Sequence, residues 1–415
     1  MKGSRIEQKL KHEELFCYLI FLLIGIKYLL PSYLNGLLEQ MRILDLLLTL
    51  FCIGLIVFFF LWKKTVPKLS ILIVALVYLC LLLSTGLNRG NLLNAFLHSV
   101  QVLLLCMLVD AVVRTPKAQK PFLRAVRDVT LVFFTVNFFL MYLLPNGIPS
   151  ISEGKVYPQY LYGNYNAVIR YVLPGLVCSL ILDGMRERKR IVPSIPTWIL
   201  SVGILISAVT VYFTATAVVT DLLLILWALL YRPFRRHAWK LYGLALLLAA
   251  IFELVFVVGA KGSGVLTFVA TLFHKPVDFH GRIPLWTKML ISIREKPVFG
   301  YGLQTYDMFL KLLGNGYGSH NYVLDMLQQR GLVGLLAILA LLFVPAMRGI
   351  ARTEIDRPLY MVIGACCAFT VQLLFEPCYE AEYLFIPLFY LLFDACTRPK
   401  APCFEQSPKQ PAGTA

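Results

Sequence analysis

Apolar runs of about 20 residues recur along the whole chain, and they restrict its fold more than any other feature. Hydrophobic residues make up 59% of the 415 residues and charged residues 15%, which is more apolar than a soluble globular domain. Each run has the length of a helix that crosses a bilayer. We therefore predict an all-α, polytopic transmembrane helical bundle of about twelve spans. The predicted spans lie at approximately residues 15–31, 43–62, 69–84, 92–113, 129–144, 167–183, 197–213, 215–231, 241–259, 331–347, 359–375 and 383–397.

The basic residues lie mainly in clusters between alternate apolar runs, and these intervals hold 26 of the 39 Lys and Arg. The short intervals on the other side hold Arg42, Arg89 and Lys155. This asymmetry follows the positive-inside rule and predicts that both termini are cytoplasmic. It also explains the net charge of +16 without a nucleic-acid partner. The first apolar run shows no cleavage pattern, so we expect a first span or an uncleaved signal-anchor.

Two predicted outer segments, 145–166 and 260–330, are longer than a turn and less apolar than the rest. The loop 260–330 has eight basic and four acidic residues, a net charge of +4 on the side that the rule disfavours. Attraction to an anionic lipid headgroup or a diphosphate would explain these cations, although a loop of this length can also translocate regardless of charge. The basic residues are Lys261, Lys275, Arg282, Lys288, Arg294, Lys296, Lys311 and Arg330. We expect one membrane domain, 1–397, containing this loop, and a disordered cytoplasmic tail, 398–415.

Sequence periodicity predicts helices within the loop 260–330. Apolar residues recur at helical spacing from Trp286 to Ile293, and again from Tyr306 to Leu313, so that two short amphipathic helices are expected. The first stops before Pro297, and a glycine-rich cluster ends the second. Ser319 is predicted to be the N-cap of a third helix, which His320 and Asn321 open.

Two residues of this loop have suitable chemistry for group transfer. The positive end of a helix dipole would keep His320 neutral and able to accept a proton from a hydroxyl group. Arg282 could bind a diphosphate through its planar guanidinium. Taken singly, a loop histidine is more often an ordinary polar residue, and a surface arginine is usually solvated. The ten cysteines show no metal-ligand or disulfide spacing, and no cofactor is indicated.

Several short motifs of residues 280–345, read together, resemble the O-antigen ligase and polymerase family of bacterial membrane proteins. Their order and spacing carry the resemblance, and the rest of the chain matches by hydropathy and topology. The motifs are Gly281-Arg282, Trp286, the stretch Glu295-Lys296-Pro297-Val298-Phe299-Gly300-Tyr301-Gly302, Ser319-His320-Asn321-Tyr322-Val323-Leu324 and Gly331-Leu332-Val333-Gly334.

The resemblance implies a metal-independent glycosyltransferase in the bacterial cytoplasmic membrane, with its active site on the outer face. It would transfer a glycan from a polyprenyl diphosphate carrier to a hydroxyl of a glycan, lipid or wall acceptor, in the synthesis of a surface polysaccharide. Arg282 would hold the diphosphate, His320 would activate or orient the acceptor hydroxyl, and Asn321 would support it. Polymerase and ligase differ in the acceptor, and the sequence does not separate them.

The segment 145–166 also resembles the family, in its glycine-asparagine element, where Asn164 and Asn166 are candidate substrate ligands. Its four tyrosines either stack on sugars or form an interfacial belt. Two arginines that family members often have are absent. Lys155 stands near one position and is a candidate substrate ligand in its place, and Thr214-Ala215-Thr216-Ala217 stands near the other. Arg170 is a charge inside a predicted span, and therefore a candidate second diphosphate ligand, unless it extends to the interface.

A lipid-linked oligosaccharide flippase or another transporter is the alternative from a different functional class. Such proteins usually have ionisable groups or broken helices near the midplane of the membrane. Here Lys27, Asp45, Asp221 and Glu253 show no evident pairing, which favours the enzyme. The carboxylates of the last predicted outer loop, 376–382, could contact an acceptor, but a plain solvated turn is the more frequent arrangement.

Overall fold

The structure is a computed structural model that describes residues 2–152, 157–186, 190–259, 281–314, 318–351, 355–376 and 378–397. The predictions for Lys155, for residues 260–280 of the large loop and for the tail 398–415 lie outside the described residues.

The described part of the chain folds into α-helices and contains no named strand, which confirms the all-α class. The helices are α1 (Lys2–Tyr28), α2 (Ser32–Gln40), α3 (Arg42–Lys63), α4 (Leu72–Leu87), α5 (Leu92–Val113), α6 (Pro116–Leu143), α7 (Pro149–Ser152), α8 (Ala167–Gly184), α9 (Ile195–Thr210), α10 (Ala215–Leu229), α11 (Tyr231–Phe234), α12 (Ala238–Phe252), α13 (Arg282–Glu295), α14 (Tyr306–Leu313), α15 (Tyr322–Gly349), α16 (Arg357–Phe375) and α17 (Ile386–Thr397). A π-helical turn, Glu253–Val258, extends α12.

Each predicted span coincides with one of these helices. In the described residues, eight helical segments are long and apolar enough to cross a membrane, and a ninth results if α1 and α2, which meet at an angle of 81°, count as one broken span. The shorter apolar helices α9, α10 and α17 coincide with the remaining predicted spans. The polytopic bundle is therefore confirmed, whereas the count of about twelve spans stays a prediction.

Helices α8 and α16 form the centre of the bundle and are buried on nearly all sides. They pack against each other, and α10 and α12 pack against α16. The peripheral helices α3 and α12 expose large apolar side chains such as Ile43, Leu61 and Leu254, as a lipid-facing surface would. The N-terminus of α8 and the C-terminus of α16 lie at the same end of the bundle as the start of α15, and we call this the site end.

The charged residues in the spans have partners that the sequence did not reveal. Lys27 of α1 forms an ion pair with Asp45 of α3. Asp221 accepts a hydrogen bond of 2.8 Å from the Ser201 hydroxyl, and Glu253 accepts one of 2.8 Å from the Asn321 side chain. The absence of evident pairing in the sequence was therefore misleading, because each partner comes from a different helix.

A break in α15 at Gly331 organises the site end. Gly331 has φ 63° and ψ −167°, a conformation that is essentially restricted to glycine. The segment that follows α13 lies against this break: Tyr301 N–H donates to the Gln328 carbonyl at 2.7 Å, and Leu332 N–H donates to the Pro297 carbonyl at 2.8 Å. These bonds use backbone groups that an interrupted helix leaves unpaired. Backbone hydrogen bonds thus hold the segment 295–302 against the Gly331-Leu332-Val333-Gly334 motif.

We expect Gly331→Ala to destabilise the protein strongly. A Cβ at this position would lie 2.2 Å from the Val298 carbonyl oxygen, and the alanine would also hold an unfavourable φ. Together these effects should lower the free energy of unfolding by about 3 kcal/mol or more, measured by equilibrium unfolding in detergent micelles.

Gly314→Ala is the matched control for this substitution. Gly314 has φ +83° but no atom within 4 Å of an added Cβ, so alanine there adds backbone strain alone, worth about 1 kcal/mol. Equal losses in the two variants would show that the close approach to Val298 does not matter.

Candidate functional site

Helix α13 and the turn before α15 build one wall of the site. As predicted, α13 ends at Glu295, before Pro297, and buries Trp286 and Met289. The Trp286 indole N–H donates to the Ser319 carbonyl at 3.1 Å, which ties α13 to the residue before His320. Arg282 begins α13, and its guanidinium lies 5.8 Å from the centroid of the Phe375 ring at the end of α16.

The second predicted loop helix is also present, as α14, with Phe309 and Leu313 buried. It ends at Gly314, whose φ is +83°, in the breaker cluster that the sequence indicated. The Lys288 ammonium donates to the Leu313 carbonyl at 3.1 Å, so α13 and α14 are joined at that end.

The predicted start of the third helix was wrong by two residues. Asn321, not Ser319, is the N-cap of α15, and its side-chain oxygen accepts from Leu324 N–H at 3.0 Å. The Ser319 hydroxyl instead donates to Asp325 Oδ1 at 2.7 Å. Asparagine caps helices as well as serine does, and the tertiary partner of Ser319 decides between them. His320 therefore precedes the helix, with φ 56°.

His320 is neutral, as predicted, but mainly for another reason. Burial and the charges of Arg282 and Arg170 lower its pKa from 6.5 to about 3. The ring is half-buried, and its Nδ1 atom has no hydrogen-bond partner among the described residues. A neutral ring with an unpaired buried nitrogen is suited to a hydrogen bond with a ligand. It is a poor base, because its conjugate acid forms only far below neutral pH.

Arg170 and Glu376 come to the site from the two central helices. Arg170 lies near the N-terminus of α8 and is buried, with its guanidinium 5.2 Å from the Tyr171 ring centroid. Glu376 is the C-cap of α16 and is 3% exposed. Burial raises the pKa of Glu376, whereas Arg282, Arg170 and a hydrogen bond from Thr216 oppose the rise. Arg282, Arg170, His320 and Glu376 thus form one electrostatic cluster.

The sequence offered the carboxylates of the loop 376–382, Glu376 among them, as possible acceptor contacts but favoured a solvated turn. That expectation was wrong for Glu376 and for Glu382, whose side chains are 3% and 0% exposed. The available signal was the position of Glu376 directly after a span that contains almost no polar residue. A carboxylate at a helix C-terminus meets the unfavourable end of the dipole, so its placement needs another reason.

Glu382 is the centre of a buried polar cluster beside the site. Arg330 of α15 binds both carboxylate oxygens, at 2.8 and 2.7 Å. Hydroxyls of Tyr322 and Tyr78 donate to Glu382 at 2.7 and 2.8 Å, and His98 Nε2 lies 3.1 Å away. Burial alone would raise the pKa of Glu382, but Arg330 and His98 hold it well below the usual range. Arg330 is therefore not a loop cation for an anionic ligand, contrary to its place in the predicted loop.

The remaining predicted site residues have structural contacts. Asn321 uses both ends of its amide, since the nitrogen donates to Glu253 and the oxygen caps α15. Asn164 Oδ1 accepts from Ala167 N–H at 3.1 Å and so caps α8. Asn166 lies at the start of α8. Substrate contacts by these asparagines stay predictions.

The tyrosines of the segment 145–166 divide into two groups. Tyr160 and Tyr162 are buried in the core, so they do not offer their ring faces to a sugar. Tyr165 stacks on Tyr212 at 4.0 Å between centroids, and Tyr157 is exposed beside them.

Comparison with known proteins agrees with the geometry of this site. Residues 175–339 match the family model described as O-antigen ligase, and this range contains Arg282, His320 and Asn321. The matched range is less than half of the chain. Arg170 and Glu376 lie outside the matched range. The match and the apolar helices together support a membrane protein that is similar to O-antigen ligases.

One relative and the solved structures add little to this assignment. An uncharacterized protein of Haemophilus influenzae is 30% identical to the chain over 82 residues, which are 17% of this chain and 21% of that protein. The chain thus matches about a fifth of that relative's length. No solved structure matches the chain.

We expect Glu382→Gln to destabilise the protein by about 3–5 kcal/mol, because it leaves Arg330 buried without a counterion. Equilibrium unfolding in detergent micelles measures the loss. Lys117→Met is the control, since it breaks the more exposed ion pair of 3.0 Å with Glu13 and should cost less than about 1 kcal/mol. A loss for Glu382→Gln as small as that of the control would contradict the structural role.

The low pKa of His320 predicts that the protein loses stability in acid. Its pKa is about 3 when folded and about 6.5 when unfolded, so the unfolded chain binds the additional proton between these values. Stability therefore falls as pH decreases through this window. His320→Asn removes the titration and keeps a residue that tolerates positive φ. Its melting temperature should decrease less between pH 7 and pH 5 than that of the wild type, and an equal decrease would contradict a buried neutral histidine.

Proposed function

We propose that the protein transfers a glycan from a polyprenyl diphosphate carrier to an acceptor hydroxyl at the outer face of the bacterial cytoplasmic membrane. One observation carries the proposal: two arginines from separate helices, Arg282 and Arg170, act on one neutral histidine in a largely buried site. Two arginines that converge on one site favour an anionic ligand, and a diphosphate satisfies two guanidinium groups.

The reaction replaces one bond at the anomeric carbon of the glycan. The acceptor oxygen forms a bond to this carbon, and the bond between the carbon and the diphosphate oxygen breaks. The electron pair of the broken bond leaves with the diphosphate, where Arg282 and Arg170 neutralise the developing charge. These arginines would do what a divalent cation does elsewhere, so the transfer is proposed to need no metal. His320 Nδ1 is available to orient the acceptor hydroxyl.

An apolar cavity of about 140 Å³ between α1, α5, α6, α8, α16 and α17 supports a lipid-linked donor. Pro174 and Leu384 are among its lining residues. Pro174 follows Arg170 by one turn of α8, so one lining residue is on the same helix as a proposed diphosphate ligand. Its lining has the chemistry to hold part of an isoprenoid chain.

Transfer in proteoliposomes with a synthetic polyprenyl-diphosphate oligosaccharide tests the proposal. Arg282→Ala, Arg170→Ala and His320→Ala should each lower the transfer rate about 100-fold or more, since each removes a group that contacts the reacting substrates. Arg294→Ala is the matched control, because Arg294 is an exposed arginine at the other end of α13 and should leave the rate unchanged. Activity should persist in EDTA.

Undiminished transfer by Arg282→Ala and His320→Ala would overturn the proposed site. Growth of the donor into longer chains without another acceptor would identify a polymerase, and a requirement for a second acceptor would identify a ligase. Movement of intact donor between leaflets, without a new glycosidic bond, would show a transporter instead.

A further inference from the structure

We propose that the Glu376 carboxylate accepts the proton of the acceptor hydroxyl during transfer, and that His320 orients this hydroxyl without deprotonating it. The inference rests on the proposed glycosyl transfer and assigns a step within it. It follows from the contacts of Glu376 and from the unsuitability of the other groups at the site.

Glu376 is a carboxylate within electrostatic reach of both proposed diphosphate ligands. It is 3% exposed at the end of α16, next to Phe375, over whose ring the Arg282 guanidinium lies at 5.8 Å. The Thr216 hydroxyl of α10 donates to the carboxylate, and Arg170 acts on it from α8. Residues of four helices, α8, α10, α13 and α16, therefore converge at this side chain. Gln372, one turn earlier on α16, donates to Thr220 at 2.7 Å and fixes α16 against α10.

The other groups near Glu376 are poor proton acceptors. Arg282 and Arg170 remain protonated. His320 has a pKa of about 3, and burial raises that of the Cys378 thiol to about 12, so the thiol stays protonated. Asp325 accepts from Ser319, Glu253 accepts from Asn321, and Glu382 is bound by Arg330. Among the described residues of the site, Glu376 is the carboxylate on which Arg282 and Arg170, the proposed diphosphate ligands, act.

Arrival of the donor would prepare Glu376 to accept a proton. The charges of Arg282 and Arg170 stabilise the carboxylate while the diphosphate is absent. A bound diphosphate takes up these charges and adds negative charge nearby, which increases the proton affinity of Glu376. The step is balanced: the acceptor oxygen bonds to the anomeric carbon, its proton moves to Glu376, and the electron pair of the broken bond leaves with the diphosphate. Glu376 then releases the proton to water.

Glu376→Gln in proteoliposomes tests this role. The rate of transfer should fall at least about 100-fold, the usual effect of losing a general base. Binding of a fluorescent polyprenyl-diphosphate donor in nanodiscs should not weaken, because the substitution removes a negative charge beside an anionic ligand. Glu376→Asp should retain part of the rate. Asp307→Asn, which changes an exposed carboxylate on α14, is the matched control and should leave both quantities unchanged.

The pH dependence separates a proton acceptor from a structural residue. The rate of the wild type should decrease at low pH with a pKa above the usual value for glutamate, since burial raises the pKa of Glu376, and this decrease should disappear in Glu376→Gln. Thr216→Val removes a donor that stabilises the carboxylate, and should move the decrease to higher pH by about one unit. The charged and titratable groups facing Glu376 are Arg282, Arg170 and Cys378, and none of them titrates between pH 4 and 8.

Near wild-type transfer by Glu376→Gln, or an unchanged low-pH decrease in that variant, would overturn the proposal. Loss of donor binding in Glu376→Gln would also overturn it and would assign Glu376 to holding the arginines. If the proposed glycosyl transfer itself is wrong, the wild type will form no glycosidic bond from the polyprenyl-diphosphate donor. This result differs from each outcome for Glu376→Gln.

Discussion

The buried ion pair between Arg330 and Glu382 is the interaction on which the site end depends. Two charges that leave water lose several kcal/mol of hydration each, which their attraction offsets only with good geometry and further hydrogen bonds. Here the pair is bidentate, and Tyr78, Tyr322 and His98 complete the carboxylate's contacts. These residues belong to α4, α5, α15 and the turn after α16, so the pair fixes four elements at one point. Gly331, directly after Arg330, begins the break that receives the segment after α13.

The low dielectric of the buried site also strengthens the electrostatic effects that set the pKa values of His320 and Glu376. Arg282 and Arg170 act on His320 and on Glu376 because burial at the site weakens the screening of their charge. For the histidine they add to the effect of burial and lower its pKa further, and for the glutamate they oppose the rise in pKa that burial causes. The same pair of cations therefore favours the neutral form of the ring and the ionised form of the carboxylate.

The local sequence predicted the helices correctly, but it did not predict which side chains distant in sequence would become partners. The helices α13 and α14 followed from apolar spacing and from Pro297 and the glycines after Leu313, because these signals act within one turn. Arg282 and His320 were found from the order of the motifs around them. By contrast, Ser319 was taken for an N-cap, although Asp325 holds its hydroxyl, and Arg330 was counted as a loop cation, although Glu382 lies 52 residues away in sequence. The buried Glu376 carboxylate interacts with Thr216 and with two arginines from other helices, and no local pattern encodes these partners.

The sequence by itself determined that this chain is an all-α membrane bundle, that its large loop contains two amphipathic helices, and that Arg282 and His320 are its chemical candidates. Hydrophobic length and periodicity are properties of contiguous residues, so they can be read without a fold. The tertiary structure decided which charges meet. Arg170 and Glu376 join the site because α8 and α16 run in opposite directions through the centre of the bundle, and both bring a buried charge to the same end. Electrostatic effects depend on distance and dielectric, and both of these exist only once the helices are packed.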